Sequence, residues 1–239
     1  MSAPVVRRSP AHRGAVVATA GLTPRMRRVT VRADAMVGIA IRPAQDVELL
    51  LRDPSGRRVK RRYTIRHARP DRGELDLDVL LHGDTPGARW GATAQAGDPV
   101  EFQGPRGKLE LRPARFHLLI GDESALPAIA AIAEALPADE HAQAVIEVRD
   151  AADELPVAAQ TRWVHRGDQP PGTPDPLAAA LAELDIPSDS HGYLMGETRA
   201  MVALRALLEA RGLAHDAIFV KGYWNVGRPD RLAGRPPAS

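Results

Sequence analysis

The first half of the chain alternates apolar and polar residues with the period of two that is typical of β-strands. The clearest case is segment 74–82, where four apolar side chains face one way and three polar ones the other: Leu75, Leu77, Val79 and Leu81 against Asp76, Asp78 and His82. Shorter β runs lie at 29–31, 46–51 and 99–102, separated by Gly, Pro and Asp. Short strands at this spacing predict an antiparallel β-barrel over residues 1–112.

From Phe116 the pattern changes to continuous apolar runs that alternate with helical stretches. The run 116–120 is followed by a turn at 121–124 and a helical stretch at 125–136. Further buried strands are expected at 144–148, 162–165, 192–195 and 217–220. This alternation predicts an α/β fold with a doubly wound parallel sheet over residues 113–239.

A helix, a loop and a tail are also predicted in this second half. Residues 198–211 have the apolar spacing of a helix, and Gly212 stands where that helix is expected to end. A Pro/Gly-rich loop is predicted at 169–176, and a Pro-rich tail at 232–239. The boundary between the two domains is expected at 112–115.

The chain has 239 residues, of which 44% are hydrophobic and 26% charged, as is typical of a globular protein. It contains no cysteine, which excludes disulfides, thiolate zinc sites, cysteine-ligated iron–sulfur clusters and cysteine nucleophiles. The net charge is only +2, but it is unevenly distributed. Residues 1–112 carry 21 Lys and Arg against 12 Asp and Glu, whereas residues 113–239 carry 11 against 18. This asymmetry predicts that the first half attracts an anion.

The N-terminus has a weak likeness to a twin-arginine signal, because Arg7-Arg8-Ser9 precedes the short apolar segment 14–22. Pro24 and three arginines follow that segment at once, and a first β-strand explains it better than a signal peptide. No apolar run in the sequence approaches the ~20 residues of a membrane span. We therefore expect a cytoplasmic protein without membrane insertion.

The first candidate for ligand chemistry is the segment 61–66, Arg-Arg-Tyr-Thr-Ile-Arg. In a strand its last five residues divide between two faces: Arg62, Thr64 and Arg66 on one, Tyr63 and Ile65 on the other. One interpretation is an exposed edge strand, where arginines discourage aggregation. The other is a site for a phosphate-bearing aromatic ligand, because arginine binds phosphate bidentately, tyrosine stacks on rings and a hydroxyl contacts heteroatoms.

The second candidate is the turn 121–124, Gly-Asp-Glu-Ser, which follows a buried strand at the place where an open α/β sheet binds its ligand. It matches neither the Gly-x-Gly-x-x-Gly phosphate loop nor the Gly-x-Ser-x-Gly nucleophile elbow. Asp122 and Glu123 would repel phosphate, so the residues alone do not indicate a dinucleotide. A structural role is also open, in which Asp122 or Ser124 caps the following helix.

The third candidate is the set of lysines, of which the chain has only three. Lys60 precedes the 61–66 segment, Lys108 follows a predicted turn, and Lys221 precedes Gly222-Tyr223-Trp224. Chance explains these positions as well as a basic set that faces an anionic ligand does.

Four blocks stand in order along the chain: Arg62–Arg66; Asp78–Gly83 followed by Trp90 and Gly97-Asp98; Gly121–Ile129; and Gly222–Trp224. Together they resemble the siderophore-interacting protein family, flavin-dependent ferric-siderophore reductases of the ferredoxin-reductase superfamily. The resemblance extends from Val16 to Arg228, and the Gly121–Ile129 block is its most specific part. It implies a two-domain ferredoxin-reductase-like fold, with an FAD-binding barrel followed by an NAD(P)H-binding domain.

The resemblance also implies roles for individual residues. Arg62 would hold FAD phosphate, Tyr63 would lie against the flavin, and Thr64 would form a hydrogen bond near flavin N5. His82, Gly87, Ala88 and Trp90 would complete the FAD pocket, and the cofactor-binding residues would also include Ile65, Arg66, Gly83 and Trp224. The nicotinamide side would be formed by Gly121, Asp122, Glu123 and Ser124, and an anionic iron complex would be bound by Lys60, Arg106, Lys108, Lys221 and Arg228.

Some positions weaken parts of this assignment. His82 on its own is better explained as a histidine at the rim of a strand, and it is the family block beside Gly83 that favours the cofactor site. The sequence Pro86-Gly87-Ala88 departs from the Gly-Pro-Ala of the family, which leaves any pyrophosphate contact there to the backbone at Gly87. Asn225 stands where a basic residue is usual in the family, so we expect a different substrate preference.

The implied function is an FAD-dependent oxidoreductase that uses NADH or NADPH to reduce ferric siderophores. The sequence has no metal-ligand cluster, so iron would arrive chelated, and no catalytic residue beyond the flavin is required. The protein is expected to be a monomer. One alternative is a flavin-dependent reductase with another acceptor. Another is an anion- or nucleic-acid-binding barrel that uses the basic run 57–62, although this run lacks the interleaved aromatic residues of a single-strand binder.

Overall fold

The first half of the chain forms a closed antiparallel barrel in the computed structural model, which describes residues 10–227. Its strands are β1 (His12–Thr23), β2 (Met26–Arg32), β3 (Asp46–Arg52), β4 (Arg58–Arg69), β5 (Glu74–Leu80) and β6 (Pro99–Arg106). They close in the order β1-β2-β5-β4-β3-β6, and helix α1 (Pro86–Thr93) connects β5 to β6. The predicted barrel is confirmed, including the first strand that the segment 14–22 indicated.

The alternation in β5 shows why the barrel forms. Leu75, Leu77 and Val79 are buried in the barrel core. On the opposite face, Arg28 of β2 donates to both carboxylate oxygens of Asp78, at 2.7 and 2.8 Å. Apolar burial therefore stabilises one face of the strand, and ion pairs across the sheet cover the other.

The second half forms a five-stranded parallel sheet. Its strands are β7 (Phe116–Asp122), β8 (His141–Val148), β9 (Gln160–His165), β10 (His191–Glu197) and β11 (Ile218–Trp224), in the order β11-β10-β7-β8-β9. Helix α2 (Leu126–Ala135) packs on one face with Leu119 of β7. Helices α3 (Asp175–Ala182) and α4 (Thr198–Ala210) pack on the other face with Leu118 and Ile120. The predicted doubly wound sheet is confirmed.

The strand order of this sheet reverses between β7 and β10. Open α/β sheets bind ligands at such a point, outside the carboxyl ends of the strands. The barrel lies close to this half of the chain, because Arg66 of β4 donates to Glu134 of α2 at 2.6 Å. This ion pair fixes the end of the barrel strand beside the first helix of the sheet.

Two segments differ from the sequence predictions. Helix α1 was not among the predicted elements; Pro86 is in its first turn, and the Thr85 hydroxyl accepts from the Ala88 amide. The predicted loop 169–176 ends earlier, where α3 begins at Asp175. Within residues 10–227, no helix is long and apolar enough to cross a membrane. The Arg7-Arg8-Ser9 segment and the predicted tail lie outside the described residues.

Candidate functional site

A cavity of about 670 Å³ lies between the barrel and the carboxyl edge of the parallel sheet. The barrel contributes residues of β4 and the segment after β5, and the sheet contributes the loop after β7 and residues 221–227. Small-molecule sites usually have volumes of ~300–1,000 Å³, so this cavity is large enough for a cofactor.

The cavity brings together predicted residues from both halves of the chain. Those that line it are Arg62, Tyr63, Thr64, His82, Asp122, Glu123, Ser124, Lys221 and Trp224. Of the three lysines, Lys221 alone is in this lining. The segments that the sequence singled out separately therefore share one cavity.

The β4 wall supplies a guanidinium and a hydroxyl. The side chain of Arg62 is 42% exposed, and its Nε lies 3.5 Å from Glu48. A guanidinium carries five N–H donors, so this contact leaves Arg62 with donors for an anionic ligand. Thr64 is buried, and its Oγ1 lies 3.3 Å from the hydroxyl oxygen of Tyr223 on β11.

Tyr63 of the same strand packs against the start of α1. Its ring centroid lies 6.0 Å from that of Trp90. A Cβ at Gly87 would lie 2.1 Å from the Tyr63 hydroxyl oxygen, so the close approach of helix and ring requires glycine. Burial raises the pKa of Tyr63, which keeps the phenol neutral. Because Thr85, the N-cap residue of α1, also lines the cavity, the positive end of the helix lies at its edge.

The carboxylate of Asp122 is a hydrogen-bond centre at the sheet edge. Its Oδ2 accepts from Trp224 Nε1 at 2.8 Å and from the Glu197 amide at 2.9 Å. Its Oδ1 accepts from the Ser124 amide at 2.9 Å and from the Ser124 hydroxyl. Burial raises the pKa of Asp122, and these donors compensate for the loss of water. The capping interpretation was wrong, because the N-cap of α2 is Ala125, without a side-chain hydrogen bond.

Two arginines neutralise the second acid of this loop. Glu123 Oε1 accepts from Arg25 Nη2 at 2.6 Å and from Arg166 Nη2 at 2.8 Å. Glu147, which is paired with Asp122 across β7 and β8, lies 3.8 Å from Arg166. Burial, together with the charge of Asp122, raises the pKa of Glu147 to about 7. Both oxygens of Asp122 and one oxygen of Glu123 are therefore engaged within the protein, whereas the buried Oε2 of Glu123 has no hydrogen-bond partner among the residues that the structure describes.

Several residues predicted for the cofactor site do not line the cavity, on the flavin side and on the nicotinamide side. Ile65 is in the barrel core, and Arg66 is paired with Glu134. Gly121 packs against β10, where an added Cβ would lie 2.5 Å from the Met195 carbonyl oxygen. Gly83, Gly87, Ala88 and Trp90 are also outside the lining. Gly87 and Trp90 instead pack against the Tyr63 ring, which does line the cavity.

The predicted substrate residues are spread more widely. Lys221 Nζ donates to Asp46 at 2.9 Å. Lys60 donates to Glu48 at 2.7 Å, and Arg106 Nη2 lies 3.0 Å from the same acid. Outside the lining are Lys60, Arg106 and the exposed Lys108, while Arg228 lies outside the described residues.

Sequence reasoning missed other lining residues: Arg25, Asp46, Asp78, Arg166 and Tyr223. Tyr223 was part of the Gly222–Trp224 block, and its aromatic hydroxyl was a signal that could have been used. Arg25 and Arg166 carried no such signal, because they reach Glu123 from segments 98 and 43 residues away in sequence.

Comparisons with known proteins extend this description. The family model "Siderophore-interacting FAD-binding domain" matches residues 51–109, and "Siderophore-interacting protein" matches residues 114–227. The ferric vibriobactin reductase ViuB of Vibrio cholerae is 34% identical over 186 residues, which are 73% of this chain and 68% of ViuB. The chain belongs to the siderophore-interacting protein family.

Solved structures agree with this membership. A siderophore utilization protein from T. fusca is 33% identical to this family member, with a TM-score of 0.86 over 94% of this chain and 96% of its own. The ferredoxin reductase in carbazole 1,9a-dioxygenase is 20% identical, with a TM-score of 0.72 over 92% of this chain and 70% of its own. The second likeness concerns the fold alone, and the ferredoxin-reductase-like architecture is confirmed.

The residues of this siderophore-interacting protein fit an FAD molecule. FAD carries an anionic pyrophosphate, and the β4 wall offers the Arg62 donors beside the positive end of α1. It also carries a planar ring with polar edges, for which the cavity offers the Tyr63 side chain and the Thr64 hydroxyl. The close packing of Gly87 on Tyr63 holds these two elements together.

Proposed function

We propose that this siderophore-interacting protein is an FAD-dependent oxidoreductase that reduces ferric siderophores with electrons from NADH or NADPH. The observation that supports it most is the cavity, which sets Arg62, Tyr63 and Thr64 opposite the carboxyl edge of a parallel sheet. A flavin in the barrel and a dinucleotide at the sheet edge would meet there. The relative ViuB is named a ferric vibriobactin reductase.

Each segment has a separate task in this proposal. Arg62 and the start of α1 would hold the FAD phosphates, Tyr63 would support the ring, and Thr64 would meet its reactive edge. When bound, FAD accepts a hydride and passes the two electrons singly to acceptors. One NAD(P)H would thus reduce two Fe(III) complexes and yield NAD(P)⁺, one proton and two Fe(II). No acid or base of the chain is needed for this balance.

The iron is the substrate and would arrive as a chelate. Among residues 10–227, no group of three or more His, Cys, Asp or Glu side chains is placed to hold a metal ion. Oxygen-donor chelators hold Fe(II) less tightly than Fe(III), so reduction would release the ion. We also propose that the protein acts as a monomer in the cytoplasm.

Absorbance spectra of the purified protein test the proposal. A flavin spectrum, bleached by NADH or NADPH and restored by a ferric siderophore under anaerobic conditions, is expected, with Fe(II) trapped by a ferrous chelator. Parallel reactions with free flavin and ferricyanide distinguish a reductase with another acceptor. If ferricyanide restores the spectrum while neither catecholate nor hydroxamate complexes do, the siderophore assignment is contradicted.

The basic run 57–62 offers little support for the nucleic-acid alternative. Arg57 pairs with Asp53 at 3.0 Å, and Arg58 pairs with Glu101 at 2.7 Å. Lys60 is paired with Glu48, as described above. These carboxylates reduce the charge that a phosphate backbone would meet.

A further inference from the structure

Tyr223 connects the last strand of the sheet to the flavin-facing segment of the barrel. Its hydroxyl oxygen lies 3.3 Å from Thr64 Oγ1 and 3.7 Å from Met195 Sδ. Both Tyr223 and Thr64 line the cavity. Burial raises the pKa of Tyr223, so the phenol keeps its proton at physiological pH.

The chemistry of the partners decides the direction of this hydrogen bond. A phenol is a stronger donor than an aliphatic alcohol, and an alcohol oxygen accepts better than a thioether sulfur. Tyr223 therefore donates to Thr64 in preference to Met195. Because Thr64 accepts with its oxygen, its own hydroxyl hydrogen is left to be directed into the cavity.

A second contact keeps the Tyr223 ring in place. Lys221 Nζ lies 5.1 Å from the ring centroid and donates to Asp46 Oδ2 at 2.9 Å. Asp46 is the cross-strand partner of Thr64 in the β3–β4 ladder. A closed ring of contacts therefore links the barrel to the end of β11, through Thr64, Tyr223, Lys221 and Asp46. This arrangement resists rotation of the ring away from Thr64.

We propose that Tyr223 is a positioning residue, which fixes the Thr64 hydroxyl so that its hydrogen faces a flavin bound in the cavity. The inference rests on the proposed function for the presence of FAD at this site. Oxidised flavin has an acceptor at N5, whereas reduced flavin carries a hydrogen there. A donor fixed in this direction therefore favours oxidised flavin, and its loss raises the midpoint potential.

The test is a double-mutant cycle that uses the two-electron potential of bound FAD, measured by spectroscopic redox titration. Thr64→Val should raise the potential by about 30 mV, which is tenfold in the equilibrium constant. Tyr223→Phe should also raise the potential, by an amount equivalent to about threefold or more in the equilibrium constant for flavin reduction, because the Thr64 hydroxyl loses its fixed orientation. The double variant should equal Thr64→Val alone.

Tyr193→Phe is the matched control. Tyr193 is a buried tyrosine of β10 outside the cavity lining, and its hydroxyl accepts from the Arg112 amide at 3.3 Å. Its removal deletes a buried phenol hydroxyl from the same sheet and should leave the flavin potential unchanged. FAD content, measured by absorbance, should match wild type in both tyrosine variants.

Several results would overturn the inference alone. The first is a flavin potential in Tyr223→Phe that equals the wild-type potential. The second is a potential shift on adding Tyr223→Phe to Thr64→Val that equals its shift in the wild-type background. The third is a potential shift in Tyr193→Phe that equals the shift in Tyr223→Phe. Wild-type protein that fails to bind FAD would overturn the proposed function as well. Wild-type protein that binds FAD but does not reduce ferric siderophores contradicts only the proposed function, because the potentials are measured without substrate.

Discussion

The two walls of the cavity use their polar residues differently. On the β4 wall, Arg62 is 42% exposed and makes a 3.5 Å contact with Glu48. On the sheet wall, both oxygens of Asp122 already accept hydrogen bonds, and Glu123 is held between two arginines. Both segments stood out in the sequence. A polar motif beside this cavity is available to a ligand only where the rest of the protein leaves it donors or acceptors.

The charge asymmetry of the sequence has the same explanation. The excess of acids in the second half suggests a surface that repels phosphate, yet its acids at the cavity pair with Arg25, Arg166 and the Trp224 indole. The β4 wall keeps a guanidinium directed to the cavity. We therefore expect variants of the sheet wall to change stability, and variants of the β4 wall to change ligand binding.

The largest expected effect is at Asp122. Asp122→Ala should lower the free energy of unfolding by about 3–5 kcal/mol, because several buried donors lose their acceptor. Asp122→Asn keeps one acceptor oxygen and should lose less. Urea denaturation measures both variants. A loss of under ~1 kcal/mol for Asp122→Ala would contradict the structural role of this wall.

Glu147 gives the sheet wall a pH dependence. Its pKa is about 7 in the folded protein against an ordinary value of 4.5, so the carboxyl takes up a proton on folding. Its contribution to stability is therefore lost as pH rises from about 4.5 to 7. Glu147→Gln has no carboxyl to titrate and so does not lose this contribution. Its free energy of unfolding, relative to that of wild type, should therefore rise by at most ~3 kcal/mol between pH 4.5 and 7.

Urea denaturation at several pH values between 5 and 8 checks this prediction. Glu110→Gln is the control, because Glu110 is an exposed acid whose side chain is 80% accessible. A stability difference between Glu147→Gln and wild type that stays constant across the range would contradict the raised pKa.

On the β4 wall, Arg62→Ala should weaken FAD binding while the protein remains folded. The loss of a charge-assisted phosphate contact corresponds to about 1.5–3 kcal/mol, or tenfold to more than a hundredfold in Kd. Arg58→Ala is the matched control, since Arg58 lies on the same strand outside the cavity lining. Flavin titration of the apo-protein measures both. Equal affinities in the two variants would remove Arg62 from the site.

The smallest effect is expected at Lys221, where the two walls meet. Lys221→Met should raise KM for an anionic ferric tris-catecholate about threefold at low salt, and less at high salt. A neutral ferric hydroxamate should respond less. Lys60→Met should have a smaller effect on both complexes: both lysines are paired with an acid, but Lys60 is outside the cavity lining. The reverse order of the two variants would contradict the placement of substrate charge at Lys221.

The barrel and the parallel sheet could both be predicted from local patterns in the sequence. Alternation in 74–82 specified the apolar face of a strand, and the continuous run at 116–120 specified a buried strand. The polar face of the first strand is buried as well, because Arg69 and Arg28 pair with Asp76 and Asp78. Burial by the hydrophobic effect acts on each strand as a local pattern, so it can be deduced without knowledge of the partner. Helix α1 was not predicted, because Pro86-Gly87 is equally typical of a turn. The contacts that favour the helix are the Thr85 cap and the packing of Gly87 on Tyr63.

Which polar residues remain for a ligand depends on contacts between segments that are far apart in the sequence. Arg66 shares the motif of Arg62 but is paired with Glu134, 68 residues away. Lys221 reaches Asp46 across 175 residues, and Arg25 reaches Glu123 across 98. Ion pairs and hydrogen bonds form wherever the packed chain brings charges within a few ångströms, and no local pattern records that distance. The difference between the two walls of the cavity, in how far their polar groups are already paired, is therefore a property of the folded chain.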